Sequence, residues 1–105
     1  MIRPELFDVV ELLVELPNTE AKPGSLGTIV EEYEGHAYEV EFANSEGETI
    51  DMRALTPDQF VVVWKNETKS WVLLADRLRD MANKLSEDRQ EQILDFVRNL
   101  YQVSA

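Results

Sequence analysis

Near residue 66 the hydrophobic pattern of this 105-residue chain changes its period. Before that point Tyr38, Val40 and Phe42 alternate with Ala37, Glu39 and Glu41, and Ile50, Met52 and Ala54 alternate with Thr49, Asp51 and Arg53. A repeat of two sends alternate residues to opposite faces of a strand. Beyond that point Trp71, Leu74, Ala75, Leu78, Met81, Ala82 and Leu85 recur at steps of three and four, the spacing of an amphipathic helix. Strands followed by helices predict an α+β chain, with a β unit over residues 1–65 and a two-helix hairpin over residues 66–105. A chain of this length supports one modest core and not two independent ones.

Turn chemistry separates the strands. Phe7 to Leu13 has strand length and stops at Leu16-Pro17-Asn18. Lys22-Pro23-Gly24-Ser25 holds proline and glycine in type II turn order, because proline presets the first φ and glycine accepts the positive φ that follows. Leu26 to Tyr33 makes a second strand, in which Gly27 signals a bulge or a close backbone approach. Turns at Glu34-Gly35 and Asn44-Ser45-Glu46-Gly47 bound the third strand, and the Ile50 to Ala54 run gives the fourth. Thr56-Pro57-Asp58-Gln59 reads as a short helical turn before a fifth strand, Phe60 to Trp64. That last run is apolar and uncharged, so it must be paired inside the sheet rather than left as an aggregation-prone edge. Short strands with such turns suggest a small sandwich or barrel.

In the C-terminal unit Ser86 caps a second helix, with Glu87 and Asp88 placed favourably at its positive end. Ile93, Phe96, Val97, Leu100 and Tyr101 form its apolar stripe and are the candidate helical interface. Helices this short are marginal alone in water, and each large apolar side chain gains about 1.5–3 kcal/mol on burial. The stripe must therefore dock on the first helix, on the β unit, on a second copy of the chain or on another protein.

Charge is divided as unevenly as the pattern. Residues 1–65 hold 14 acids and 4 bases, net −10, whereas residues 66–105 hold 7 acids and 6 bases, net −1. An acidic surface repels nucleic acid, which is held by basic groups that displace counterions. It attracts a basic protein surface and speeds the encounter. Glu31, Glu32, Glu39 and Glu41 are the candidate partner-binding acids, and their ordinary alternative is a solvated face that keeps the chain soluble.

Most chemistry has no foothold. Gly24-Ser25-Leu26-Gly27 lacks the spacing of a serine elbow, and a strand rather than a helix follows it, which also excludes a phosphate loop. His36 is the only histidine and has no orienting partner in sequence. Glu31, Glu32 and Glu34 lack the ligand spacing of a calcium loop. Without cysteine there is no disulfide, thiolate metal site or thiol nucleophile. No catalytic, cofactor or metal site is expected. Phe60 to Trp64, the longest apolar run, is far short of a membrane span. Met1-Ile2-Arg3-Pro4-Glu5 has a proline and an acid where a signal peptide has its apolar stretch, so a cytoplasmic location is expected.

The segments ELFDVVELLVELP, KPGSLGTIVEEY, AYEVEF and LTPDQFVVV together resemble a bacterial family, domain of unknown function 4926, over Glu5 to Val63. The resemblance implies an SH3-like barrel of five strands, no established enzyme activity, and an accessory or antitoxin-like role beside a toxin encoded nearby. LSEDRQEQILDFVRNL, Leu85 to Leu100, is similar to the helix of small bacterial antitoxin-like proteins, with Gln90, Leu94, Asp95, Phe96 and Leu100 at matching positions and Ser86 and Glu87 where prolines are usual.

Two functions are expected to compete. One is a non-catalytic binding module of antitoxin or immunity type, whose acidic barrel and C-terminal helix hold a basic protein. The other is a structural or assembly subunit that homo-oligomerises through its C-terminal helices, and a homodimer joined through Phe96, Leu100 and Tyr101 is expected over a monomer.

Overall fold

A computed structural model describes residues 2–34 and 36–103. It contains strands β1 (Val9–Leu12), β2 (Leu26–Tyr33), β3 (Ala37–Ala43), β4 (Thr49–Leu55), β5 (Phe60–Lys65) and β6 (Ser70–Trp71), then helices α1 (Leu74–Asn83) and α2 (Glu87–Gln102). All six strands lie in one antiparallel sheet of order β4-β3-β2-β1-β5-β6.

The expected closed, five-stranded SH3-like barrel does not form; the sheet is open and has a sixth strand. The edge of β5 that closure would need is occupied by β6, with Trp64 opposite Trp71 and Val72 N–H donating to the Val63 carbonyl at 2.9 Å. At the other end, the Arg53 guanidinium on β4 donates to the carbonyls of Pro17 (2.8 Å) and Asn18 (2.7 Å), which covers part of that edge with a loop. Register shifts in the β1–β5, β2–β3 and β3–β4 pairings bend the sheet. The bend gathers Val10, Leu12, Ile29, Tyr38, Val40, Phe42, Leu55, Phe60 and Val62 into one core.

The turn at Pro23-Gly24 forms as its chemistry dictates, with Gly24 at φ +96° and Ser25 N–H donating to the Lys22 carbonyl at 2.8 Å. Gly27 answers to close approach: a Cβ there would lie 2.5 Å from Val40 Cγ1. The turn before β3 is seen as His36 N–H donating to the Tyr33 carbonyl at 3.1 Å, while Gly35 lies outside the described residues. Pro57–Gln59 is a single 3-10 turn, and β5 sits between β1 and β6 with Phe60, Val61, Val62 and Val63 all buried. Ser86 caps α2 by accepting from Arg89 N–H at 3.4 Å.

Three expectations are corrected. The alternation in β4 puts Ile50, Met52 and Ala54 on one face, but the register shift between Phe42 and Ala43 separates Ile50 from the other two. Ile50 packs on the core, whereas Met52 and Ala54 lie opposite Glu41 and Glu39 on the outer face. Trp71 belongs to β6 rather than to the first helix, because Lys69 at φ +54° turns the chain back onto β5. Finally, α1 packs on β5 while α2 has no buried residue, so the helices do not close into a packed hairpin. Gln90 Nε2, donating to the Ala82 carbonyl at 2.8 Å, ties α2 to α1 beside their connection.

Candidate interaction surfaces

An amphipathic helix on a sheet ordinarily turns its apolar side inward. Helix α1 does the opposite. Asp80 is its one buried residue, 2% exposed, and Lys84 beyond the helix end donates to the Phe60 carbonyl at 2.7 Å while lying 3.2 Å from Asp80 Oδ2. Arg77 Nε reaches back to the Val72 carbonyl at 3.1 Å. With the charged side against the sheet, Leu74 (72% exposed) and Leu78 (66% exposed) face solvent, joined by Trp71 and Leu73. Asp76, Asp80 and Lys84 recur at steps of four, so the charged stripe was present in the sequence; amphipathicity alone does not say which stripe faces in.

Helix α2 also leaves apolar side chains uncovered. Of its expected interface residues, Ile93 is partly covered and Phe96, Val97, Leu100 and Tyr101 are exposed, Tyr101 by 88%. Leu94 and Val103 lie exposed with them. Each helix therefore leaves several large apolar side chains in water.

The acids divide between two faces. Glu31 and Glu39 stand directly opposite each other on the outer face of β2 and β3, and Glu41 follows opposite Thr28. The Tyr33 hydroxyl donates to Glu39 Oε1 at 3.0 Å, and this bond, with some burial and the nearby Glu31 charge, raises the phenol's pKa. Glu32 pairs in register with the buried Tyr38, so it lies on the other face, 4.0 Å from Arg3. Burial first, and then the Glu32 charge, raise the pKa of Tyr38.

A second charged group lies just before β1. The buried Asp8 accepts from Lys65 Nζ (2.6 Å), Glu5 N–H (2.9 Å) and Asn66 N–H (2.9 Å). Lys65 also donates to Glu5 Oε1 (2.8 Å) and to the Arg3 carbonyl (2.9 Å). Burial opposes the ammonium charge, yet the bonds to Asp8 and Glu5 outweigh it and raise the Lys65 pKa. The Lys65 hydrogen bond lowers that of Glu5. Every carboxylate oxygen of Asp8 has a donor, the pattern of a structural clasp between the chain's start and β5.

Ser25 Oγ accepts from Lys22 N–H at 2.9 Å within its turn, and His36 is exposed. Among the described residues, no three His, Asp or Glu side chains converge to hold a metal ion, and no helix is long and apolar enough to cross a membrane.

No curated protein and no solved structure matches the chain. The family model described as Domain of unknown function (DUF4926) matches residues 6–62, which spans β1 to the first half of β5 and leaves both helices outside. On that match, covering more than half of the chain, the protein belongs to the DUF4926 family.

Proposed function

We propose that this protein is a non-catalytic binding module of antitoxin or immunity type that holds a basic protein partner. The observation that carries the reading is the inverted helix α1: Asp80 faces the sheet while Leu74 and Leu78 face out, continuous in kind with the uncovered stripe of α2. A chain that buries a charge and leaves leucines in water gains from a surface that covers the leucines. Glu31, Glu39 and Glu41 on the outer face attract a basic partner and guide its approach. Glu32, on the other face, is a separate contact in this scheme.

The test is to co-express the chain with the product of the adjacent reading frame and co-purify. A basic product retained by the parent chain, and lost with Phe96→Glu or Leu78→Glu, supports the proposal. Retention unaffected by either substitution counts against the helical surface. The assembly-subunit reading is favoured by one observation, the near-neutral charge of residues 66–105, which lets helical faces of two copies meet without strong repulsion.

A further inference from the structure

Between the start of the chain and α1 lies a cleft of about 310 Å³, at the lower end of the range of small-molecule sites. Ile2, Pro4, Tyr38, Phe60 and Val62 give it apolar walls. Tyr38 and Phe60 meet edge to face, with ring centroids 5.9 Å apart, which fixes the shape of one side. Asp80 and Lys84 supply the buried polar part of the lining, and Arg3, its side chain 77% exposed and 4.0 Å from Glu32, stands at the mouth.

The two charged groups are incompletely used. Asp80 Oδ2 lies 3.2 Å from Lys84 Nζ, but among the described residues the buried Oδ1 has no hydrogen-bond partner. Buried acceptors are almost always given a donor, and a carboxylate oxygen left without one is costly. Lys84 has three N–H donors: the Phe60 carbonyl takes one, Asp80 Oδ2 pairs with the charge at 3.2 Å, and Nζ stands 5.8 Å from the Phe60 ring centroid, which leaves one N–H without an oxygen acceptor among the described residues. One unused acceptor and one unused donor thus stand on neighbouring side chains at the end of an apolar cleft. The charges of Asp80 and Lys84 cancel as a pair, and Arg3 at the mouth is answered by Glu32 at 4.0 Å, so at the closed end a bound anion is opposed by Asp80 and a bound cation by Lys84.

We propose that this cleft binds a small, uncharged molecule with an aromatic or branched aliphatic body and a carboxamide head. The body lies among Tyr38, Phe60 and Val62, the amide N–H donates to Asp80, and the amide oxygen accepts from Lys84. This site is separate from the helical surface of the proposed function, since Asp80 and the exposed leucines are on opposite sides of α1.

Titrating the labelled full chain with benzamide, followed by NMR, tests the assignment. Saturable shifts should centre on Ile2, Tyr38, Phe60 and Val62, with millimolar affinity, and benzoate, benzylamine and toluene should each bind at least about fivefold more weakly, a difference of roughly 1 kcal/mol. Asp80→Leu and Lys84→Met should each weaken benzamide by a similar factor while leaving the spectrum folded; if one variant fails to fold, the other decides. Shifts absent up to about 20 mM, shifts centred elsewhere, or toluene binding as tightly as benzamide would overturn the proposal.

Discussion

Asp80 and Lys84, one helical turn apart, face the sheet together with Oδ2 and Nζ 3.2 Å from each other. Leu78, two residues before Asp80, therefore faces water. A buried ion pair often contributes little net stability, but breaking it by removing one partner strands the other charge. Lys84→Met should destabilise the chain by about 3 kcal/mol, and Asp80→Leu combined with Lys84→Met should recover most of that loss. Urea unfolding of the parent, the single variant and the double variant measures both. A Lys84→Met chain as stable as the parent would show that Asp80 does not depend on Lys84.

The two informative glycines fail for different reasons when substituted. Gly24 has open space around it but sits at φ +96°, so Gly24→Val should cost about 1–3 kcal/mol through backbone strain. Gly27→Ala meets Val40 Cγ1 and the Phe42 ring, and overpacking of that kind costs about 1–3 kcal/mol. Ser25→Ala loses a bond at a half-covered turn and should change stability by less than about 1 kcal/mol. Thermal melts rank the three, and a Gly27→Ala chain melting with the parent would remove the close-approach argument.

The clasp around Lys65 gives stability a pH dependence at both ends. Lys65 has a raised pKa, so its contribution is complete below its ordinary value of 10.5 and is lost as pH rises through the folded value. Glu5 has a lowered pKa, so its contribution is present above its ordinary value of 4.5 and is lost as pH falls through the folded value. Glu5→Gln should be less stable than the parent at neutral pH, with the difference closing in acid. Urea midpoints for both chains across the acid range read this directly, and a difference that stays constant would mean Lys65 does not favour ionised Glu5.

What could be read in the sequence was local. Pro23-Gly24 carries its own turn geometry, Ser86 carries its own cap, and Tyr38, Val40 and Phe42 needed only the period of two. What could not be read depended on partners distant in the chain. The register shift that divides Ile50 from Met52 is set by pairing with β3, and Trp71 joins a strand because β5 offers it an edge at Trp64. The candidate surfaces follow the same division: the α2 stripe was visible as spacing, but the outward turn of Leu74 and Leu78 is settled by where Asp80 and Lys84 reach the sheet. Glu32 was grouped with Glu31, Glu39 and Glu41 by composition, and pairing with Tyr38 separates it.

The outer acids should act on encounter more than on residence. Replacing Glu39 and Glu41 by lysine reverses charge on one face while leaving the helical stripe untouched. Rim charges steer association and are screened beyond about 8 Å at physiological ionic strength. With the co-purified partner in hand, the double variant should slow association about tenfold or more at low salt, with a smaller change in dissociation. Stopped-flow measurements at two salt concentrations check it, and an on-rate indifferent to salt would return these acids to solvation alone.

The helical surface separates its two possible occupants through concentration. Phe96 is 64% exposed and α2 has no fully buried residue, so Phe96→Glu should change the stability of a dilute monomer by no more than about 0.5 kcal/mol. If a second copy covers this face, the parent's apparent stability must rise with protein concentration, because association is coupled to folding by mass action, and Phe96→Glu must abolish that rise. If a basic partner covers it instead, the chain alone stays monomeric at every concentration and the substitution acts only on the complex. Light scattering over a hundredfold dilution, with melts at each end for the parent and Phe96→Glu, distinguishes the two. The binding-module proposal predicts a monomer alone whose melting point is independent of concentration. A parent dimer abolished by Phe96→Glu would assign the surface to a second copy, and a parent monomer destabilised by several kcal/mol on substitution would mean that α2 docks on its own sheet after all.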